Sequence, residues 1–119
     1  TARSNYSNPP AHGSEIVKFI LSNNSLRSKW EEDLSGIRNR VKDMRSLLVT
    51  ELNNERCSKD FSFIENQKGM FSYTGLNKDQ VNSLKKNYSI YIVNSGRINI
   101  AGITTKNCKY IAKAINEVI

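Results

Sequence analysis

The sequence predicts an α+β fold, with one long helix and several shorter ones packed on a small, mainly antiparallel sheet. Three observations carry this. Apolar residues at Leu26, Trp30, Leu34, Ile37, Val41, Met44, Leu48 and Leu52 recur at steps of three and four, the mark of one continuous helical face. Short β-rich runs stand at 60–65, 70–74, 88–93 and 97–101. The links between neighbouring runs are too short for parallel crossovers, which leaves antiparallel pairing.

In chain order, residues 1–12 hold no periodic apolar pattern, and Pro9-Pro10 imposes an extended lead-in. Gly13 and Ser14 then admit a short helix with Ile16, Val17, Ile20 and Leu21 on one side. The polar run Ser22-Asn23-Asn24-Ser25 ends it and can cap the next. The long helix over 25–55 should reach about 45 Å at about 1.5 Å per residue, enough to bridge two packing environments. Its other faces mix Arg27, Lys29, Arg38, Arg40, Lys42 and Arg45 with Glu31, Glu32, Asp33, Asp43 and Glu51, a solvated surface with weak ion pairs. The runs at 60–65 and 70–74 flank Asn66-Gln67-Lys68-Gly69 as a hairpin. A helix then opens at Leu76-Asn77-Lys78-Asp79-Gln80-Val81 and runs to about Asn87: Asn77 caps, Gln80 bonds back, and Leu76 staples onto Val81. Another strand pair is expected around the turn Asn94-Ser95-Gly96. Thr104 or Thr105 caps a last helix whose stripe is Cys108, Ile111, Ala112, Ile115, Val118 and Ile119.

With 119 residues and 38% hydrophobic content, the chain has one domain's length and can bury a core. Eighteen Lys plus Arg against eleven Asp plus Glu leave a net charge of +7, which suits an anionic partner: nucleic acid, an acidic membrane surface, or carboxylate and phosphate ligands. No run of about 18 apolar residues is present to span a membrane. Cys57 and Cys108 form no CxxC pair, so neither a metal site nor a disulfide framework is expected, and a reducing, cytoplasmic setting is the simplest reading. Beginning at Thr1 rather than Met, the chain reads as a piece of something longer.

Familiar catalytic constellations are missing. His12, the sole histidine, lies in a Pro-rich stretch with no acid beside it, no Ser-His-Asp set can be assembled, and no Gly-rich phosphate loop follows a strand. Two arginines in turn settings, Arg3 and Arg97, are the residues suited to receive an anion. In Asn94-Ser95-Gly96-Arg97-Ile98-Asn99-Ile100-Ala101-Gly102, alternation puts Ile98 and Ile100 on one face and Arg97 and Asn99 on the other. The planar fork of Arg97 matches a carboxylate or phosphate, and Gly96 lets the backbone come close to whatever the arginine holds.

Three motifs narrow the choice. Arg3-Ser4-Asn5-Tyr6-Ser7-Asn8-Pro9-Pro10-Ala11-His12-Gly13, Gly69-Met70-Phe71-Ser72-Tyr73-Thr74-Gly75-Leu76 and Ser95-Gly96-Arg97-Ile98-Asn99-Ile100-Ala101-Gly102 occur in that order, with the long helix between the first two. Through them nearly the whole chain resembles the C-terminal part of the aspartate aminotransferase family, the aspartate and aromatic subgroup of class I pyridoxal-phosphate-dependent aminotransferases. The resemblance implies the small domain of a fold-type I transferase: 1–23 as the tail of a large cofactor-binding domain, 24–55 as the connecting helix, and 56–119 as the C-terminal small domain. It implies a homodimer that exchanges the amino group between aspartate and 2-oxoglutarate, dicarboxylic amino and keto acids. It assigns Arg97 to the substrate α-carboxylate and Arg3, acting across the subunit boundary, to the distal carboxylate. Phe71 is similar to the aromatic wall beside the α-carboxylate, and Tyr6 and Ser7 to loop residues lining the site across the dimer interface. Two forks at fixed separation measure a short diacid and orient its Cα.

The same resemblance implies limits. The family's Schiff-base lysine, the aspartate that pairs with the pyridine nitrogen and the phosphate-binding residues belong to sequence before Thr1. No catalytic, cofactor-binding or metal-binding residue is then expected in this fragment, no pyridoxal phosphate bound to it, and no activity from it alone. Neither nucleic acid nor membrane is an implied partner, and cytoplasmic and organellar forms share the motifs. Two rival readings are a basic nucleic-acid-binding module drawing on the +7 charge, and an interaction module that disrupts the enzyme's dimer through an exposed stripe over 26–52.

Overall fold

The computed structural model describes residues 11–119 and divides into two compact units, the first ending at Arg38 and the second running from Asn39 to Ile119. In order come α1 (Ala11–Ser22), α2 (Asn24–Asn54), a 3-10 turn (Ser62–Ile64), β1 (Phe71–Tyr73), α3 (Lys78–Tyr88), β2 (Arg97–Asn99), a second 3-10 turn (Ile100–Gly102) and α4 (Cys108–Val118).

In the first unit, Asn23 both ends one helix and starts the next. Its N–H bonds back to the Phe19 carbonyl at 3.2 Å, and its side chain accepts the Leu26 N–H at 3.1 Å as an N-cap. His12, expected in a loop, lies in the first turn of α1 and is exposed. Ile16, Val17, Phe19, Leu26, Trp30, Leu34 and Ile37 are all exposed. Arg27 and Glu31, 3.2 Å apart on the solvated face of α2, form the weak surface pair that the mixed charges imply.

From Val41 onward the stripe of α2 turns into core. Val41 and Met44 are partly covered, while Leu48 and Leu52 are buried with Phe61, Ile64, Leu76, Val81, Leu84, Ile98, Ile100, Ile103, Ala112 and Ile115. Each fully buried leucine contributes about 1.5–3 kcal/mol relative to an exposed one. One helix thus has two environments, as its length suggested, but a single exposed stripe over 26–52 does not exist. Arg45 needs a second correction. Assigned to a solvated face, it is 4% exposed, because a position four after Val41 and three before Leu48 falls on the core side of the helix.

The sheet is smaller than expected and paired differently. β1 runs antiparallel to β2 with Phe71 opposite Asn99, Ser72 opposite Ile98 and Tyr73 opposite Arg97, so α3 is enclosed between the two strands in sequence. Neither expected hairpin forms. At 60–65 the Asp60 carboxylate accepts the Ser62 N–H at 2.9 Å and the Ser62 hydroxyl at 2.8 Å, a local bonding pattern that competes with a strand and sets the 3-10 turn. Phe61 and Ile64, three residues apart, then both reach the core. At 88–93, Tyr88 is the last residue of α3, Ser89 takes a left-handed φ of +55°, and the Ile90 N–H reaches back to the Leu84 carbonyl at 3.2 Å. Ile90 and Ile92 pack on the core while Tyr91 is exposed, so the alternation is real but has no ladder partner.

The start of α3 follows the sequence closely. Asn77 and Gln80 form the reciprocal capping box, each backbone N–H donating to the other's side-chain oxygen at 2.9 Å, and both Leu76 and Val81 are buried. Ahead of α4, the Thr104 hydroxyl accepts the Asn107 N–H at 3.2 Å and the Asn107 side chain accepts the Thr104 N–H at 2.7 Å, closing the turn that leads in, while the N-cap of the helix is Asn107 and not the expected threonine.

Candidate functional site

Successive strand residues face opposite ways, so the two-stranded ribbon buries Ser72 and Ile98 and shows Phe71, Tyr73, Arg97 and Asn99 on its other side. Arg97 stands opposite Tyr73 and diagonal to Phe71, and its guanidinium carbon lies 4.9 Å from the centre of the Phe71 ring. A cation over a ring face is worth about 0.5–1 kcal/mol at an exposed site. Such a contact does not use the N–H donors of the fork. Among the described residues no hydrogen bond or ion pair occupies those donors. Asn99, by contrast, is committed to the turn behind it, its side chain accepting the Ala101 N–H at 3.0 Å.

The turn before Arg97 depends on Gly96. Its φ is +82°, and its carbonyl accepts both the Thr74 N–H at 2.9 Å and the Thr74 hydroxyl at 2.6 Å. A Cβ at Gly96 would lie 2.9 Å from the Leu76 carbonyl oxygen. This glycine admits a close approach by the chain leaving β1.

Side chains pin both strands from outside. The Ile100 N–H donates to the Met70 carbonyl at 2.8 Å, and the Thr74–Gly96 bond closes the other end of the ladder. With those residues bonding towards β2, the N–H and C=O of Tyr73 point away from it. Gln67 meets them: its amide oxygen accepts the Tyr73 N–H at 2.7 Å and its amide nitrogen donates to the Tyr73 carbonyl at 3.1 Å. From α2, Arg40 reaches the Ala101 and Ile103 carbonyls at 3.4 and 3.2 Å, and Arg45 donates to the Gly69 carbonyl. Burial holds the Arg45 guanidinium below its ordinary pKa, and its Nε has no partner among the described residues.

Of the residues assigned by resemblance, Arg97 and Phe71 come together, while Arg3, Tyr6 and Ser7 lie outside the described residues. Tyr73, Gln67 and Arg45 were not singled out. The alternation of Phe71-Ser72-Tyr73 carried the signal for Tyr73, and the helical period carried it for Arg45; no local pattern marks Gln67 as a bond partner of residue 73. Burial and the charge of Glu51 push the Cys108 thiol up to about 11, so it is no ready nucleophile. Among the described residues no three His, Cys, Asp or Glu side chains cluster as metal ligands, and no helix is long and apolar enough to cross a membrane.

Chain and fold match known aminotransferases. The chain belongs to the family of class I and II aminotransferases, whose model matches residues 1–115. Aspartate aminotransferase of Salmonella typhi is 50% identical over 117 residues, which cover 98% of this chain and 30% of that protein. The cytoplasmic aspartate aminotransferase of Saccharomyces cerevisiae superposes with a TM-score of 0.90 at 40% identity, over 98% of this chain and 28% of that one. An aromatic-amino-acid aminotransferase from Burkholderia pseudomallei, covalently bound to pyridoxal phosphate, superposes with a TM-score of 0.89 at 45% identity, over 98% of this chain and 29% of its own. The chain thus spans about 30% of the length of the relatives it matches.

Proposed function

We propose that this chain is the carboxylate-gripping part of a pyridoxal-phosphate-dependent aspartate aminotransferase, working between aspartate and 2-oxoglutarate. The observation that carries the reading is the Arg97 fork, set over the Phe71 ring with its donors unengaged among the described residues, on a scaffold that belongs to the aminotransferase family. Arg97 takes the α-carboxylate of the amino or keto acid, and Phe71 forms the wall that keeps the fork in plane. Arg3, Tyr6 and Ser7 complete the grip from a partner subunit, Arg3 on the distal carboxylate; for these three the support is the sequence resemblance and a family match that includes them. Residues 1–23, 24–55 and 56–119 correspond in this reading to the large-domain tail, connecting helix and small domain, in a cytoplasmic homodimer.

Pyridoxal phosphate needs an amine for its aldehyde and a cradle for its phosphate. Among the described residues, three of the cations are committed elsewhere: the Lys59 ammonium donates to the Gly75 carbonyl at 2.9 Å, and Arg40 and Arg45 hold main-chain carbonyls. In this reading the chain's part is to bind and orient the substrate.

The test is a chimera in which this chain replaces the matched stretch of the Salmonella typhi enzyme. An active chimera is expected. Arg97→Leu in it should lower kcat/KM for aspartate and for 2-oxoglutarate together by roughly 30-fold to several thousandfold, since breaking a hydrogen-bonded charge pair costs about 2–5 kcal/mol. Normal turnover by that variant would refute the role of Arg97. Purified alone, with pyridoxal phosphate added, the 119-residue chain should not convert aspartate.

A further inference from the structure

We infer that Arg45 and Gln67 are positioning residues of the Arg97 site, holding β1 where its Phe71 ring orients the arginine fork. The functional consequence rests on the carboxylate reading above; the geometry does not. β1 is three residues long, too short to hold its place by ladder bonds to a single neighbour. Gln67 binds the backbone of Tyr73 at its end through both atoms of the amide. Arg45 binds the Gly69 carbonyl, two residues before its start. Phe71 lies between these anchors, and its ring is what Arg97 stacks on.

The choice of arginine at position 45 supports the inference. Its neighbours on that face, Leu48, Val49 and Leu52, are apolar, and a leucine or methionine there would avoid burying a charge. Among the described residues no acidic side chain compensates the guanidinium. What an arginine adds is reach and direction: a donor aimed from α2 at one main-chain carbonyl of the segment that enters β1. Gln67 works in a like manner from the opposite end. It is half-buried and touches neither face of the ribbon's ring-bearing side through its bonds, only the main chain. Both residues therefore act through Phe71 on Arg97.

The experiment reads the Arg97 Nε–Hε signal by NMR in the 119-residue chain, with Phe71→Leu as the reference in which the ring's upfield shift is absent. In Gln67→Leu and in Arg45→Met the signal should move most of the way to that reference while the methyl signals of Leu84, Ala112 and Ile115 stay in place. Arg45→Lys, which keeps a cationic donor, should stay closer to wild type than Arg45→Met. An Arg97 signal unmoved in both folded variants overturns the inference. If Arg45→Met loses the core methyl signals, Gln67→Leu, at a half-buried position, decides alone. In the chimera, Gln67→Leu should raise KM for aspartate and 2-oxoglutarate together with kcat changed less, the pattern of weakened carboxylate binding. An inactive wild-type chimera with the NMR result intact would fail the carboxylate reading and leave the positioning role standing.

Discussion

Gly96→Ala tests how tightly the turn before Arg97 is built, and Gly69→Ala supplies its control. Both glycines have positive φ, +82° and +87°, so both substitutions meet the same backbone strain of about 1–2 kcal/mol and the same gain from a less flexible unfolded chain. They differ in space. A Cβ at Gly69 has nothing within 4 Å, whereas one at Gly96 would meet the Leu76 carbonyl oxygen at 2.9 Å, the Thr74 hydroxyl at 3.1 Å and the Leu76 nitrogen at 3.3 Å. Two of those three atoms are backbone and cannot swing aside. The third is held by its bond to the Gly96 carbonyl. Overpacking of this kind costs about 1–3 kcal/mol. Gly96→Ala should then lose about 2–5 kcal/mol against about 1–2 for Gly69→Ala, from a total of about 5–15. For a chain of this size that is a fall in Tm of roughly 10–20 °C against roughly 5–10 °C. Circular dichroism melts report it, with urea titrations to check that the m-value is unchanged. Equal melting of the two variants would refute the claim that Gly96 is required by the approach of Leu76 and not by φ alone.

Other expectations concern capping, pH and specificity. Asn77→Ala removes the side-chain half of the capping box, the bond accepted from the Gln80 N–H, and should destabilise by about 1 kcal/mol in urea unfolding, while Asn77→Gly should lose only a few tenths. Cys108 ionises at about 11 in the fold but at about 8.5 in the unfolded chain, which therefore sheds its proton first. Stability from this burial is complete below about pH 8.5 and declines as the pH rises towards about 11; Cys108→Ala should flatten that decline in denaturant titrations. Arg3→Leu in the chimera should penalise aspartate much more than phenylalanine, and an unchanged preference for aspartate would remove Arg3 from the distal carboxylate.

Sequence carried the helices because their signals are local. The α2 stripe and the Asn77–Gln80 box are set by residues three or four apart, and both are present in the structure. The strands were harder, since pairing is a choice among distant partners. Alternation placed Ile98 inward and Arg97 outward correctly, yet it could not say that 97–99 pairs with 71–73 instead of with its neighbour at 88–93. Asp60 and Ser62 drew 60–65 into a turn through side-chain bonds that period-counting does not register. At the candidate site, motifs marked Arg97 and Phe71, and the fold brings the two into contact. The supporting contacts of Arg45 and Gln67 were not legible, because each is a bond from a side chain to a main-chain atom set by the tertiary fold.

The amide of Gln67 has a further consequence for how the molecule behaves in company. A short strand with a bare edge is a template on which a second chain can add. At Tyr73 the outward N–H and C=O of β1 are both occupied by one side chain, which imitates a neighbouring strand without being one. That pair is thereby closed to a foreign strand, while the outward N–H and C=O of Phe71 have no bond among the described residues. The same glutamine thereby narrows the open edge of β1, and Gln67→Leu, which uncovers those groups beside an exposed Tyr73, should make concentrated solutions associate sooner than wild type.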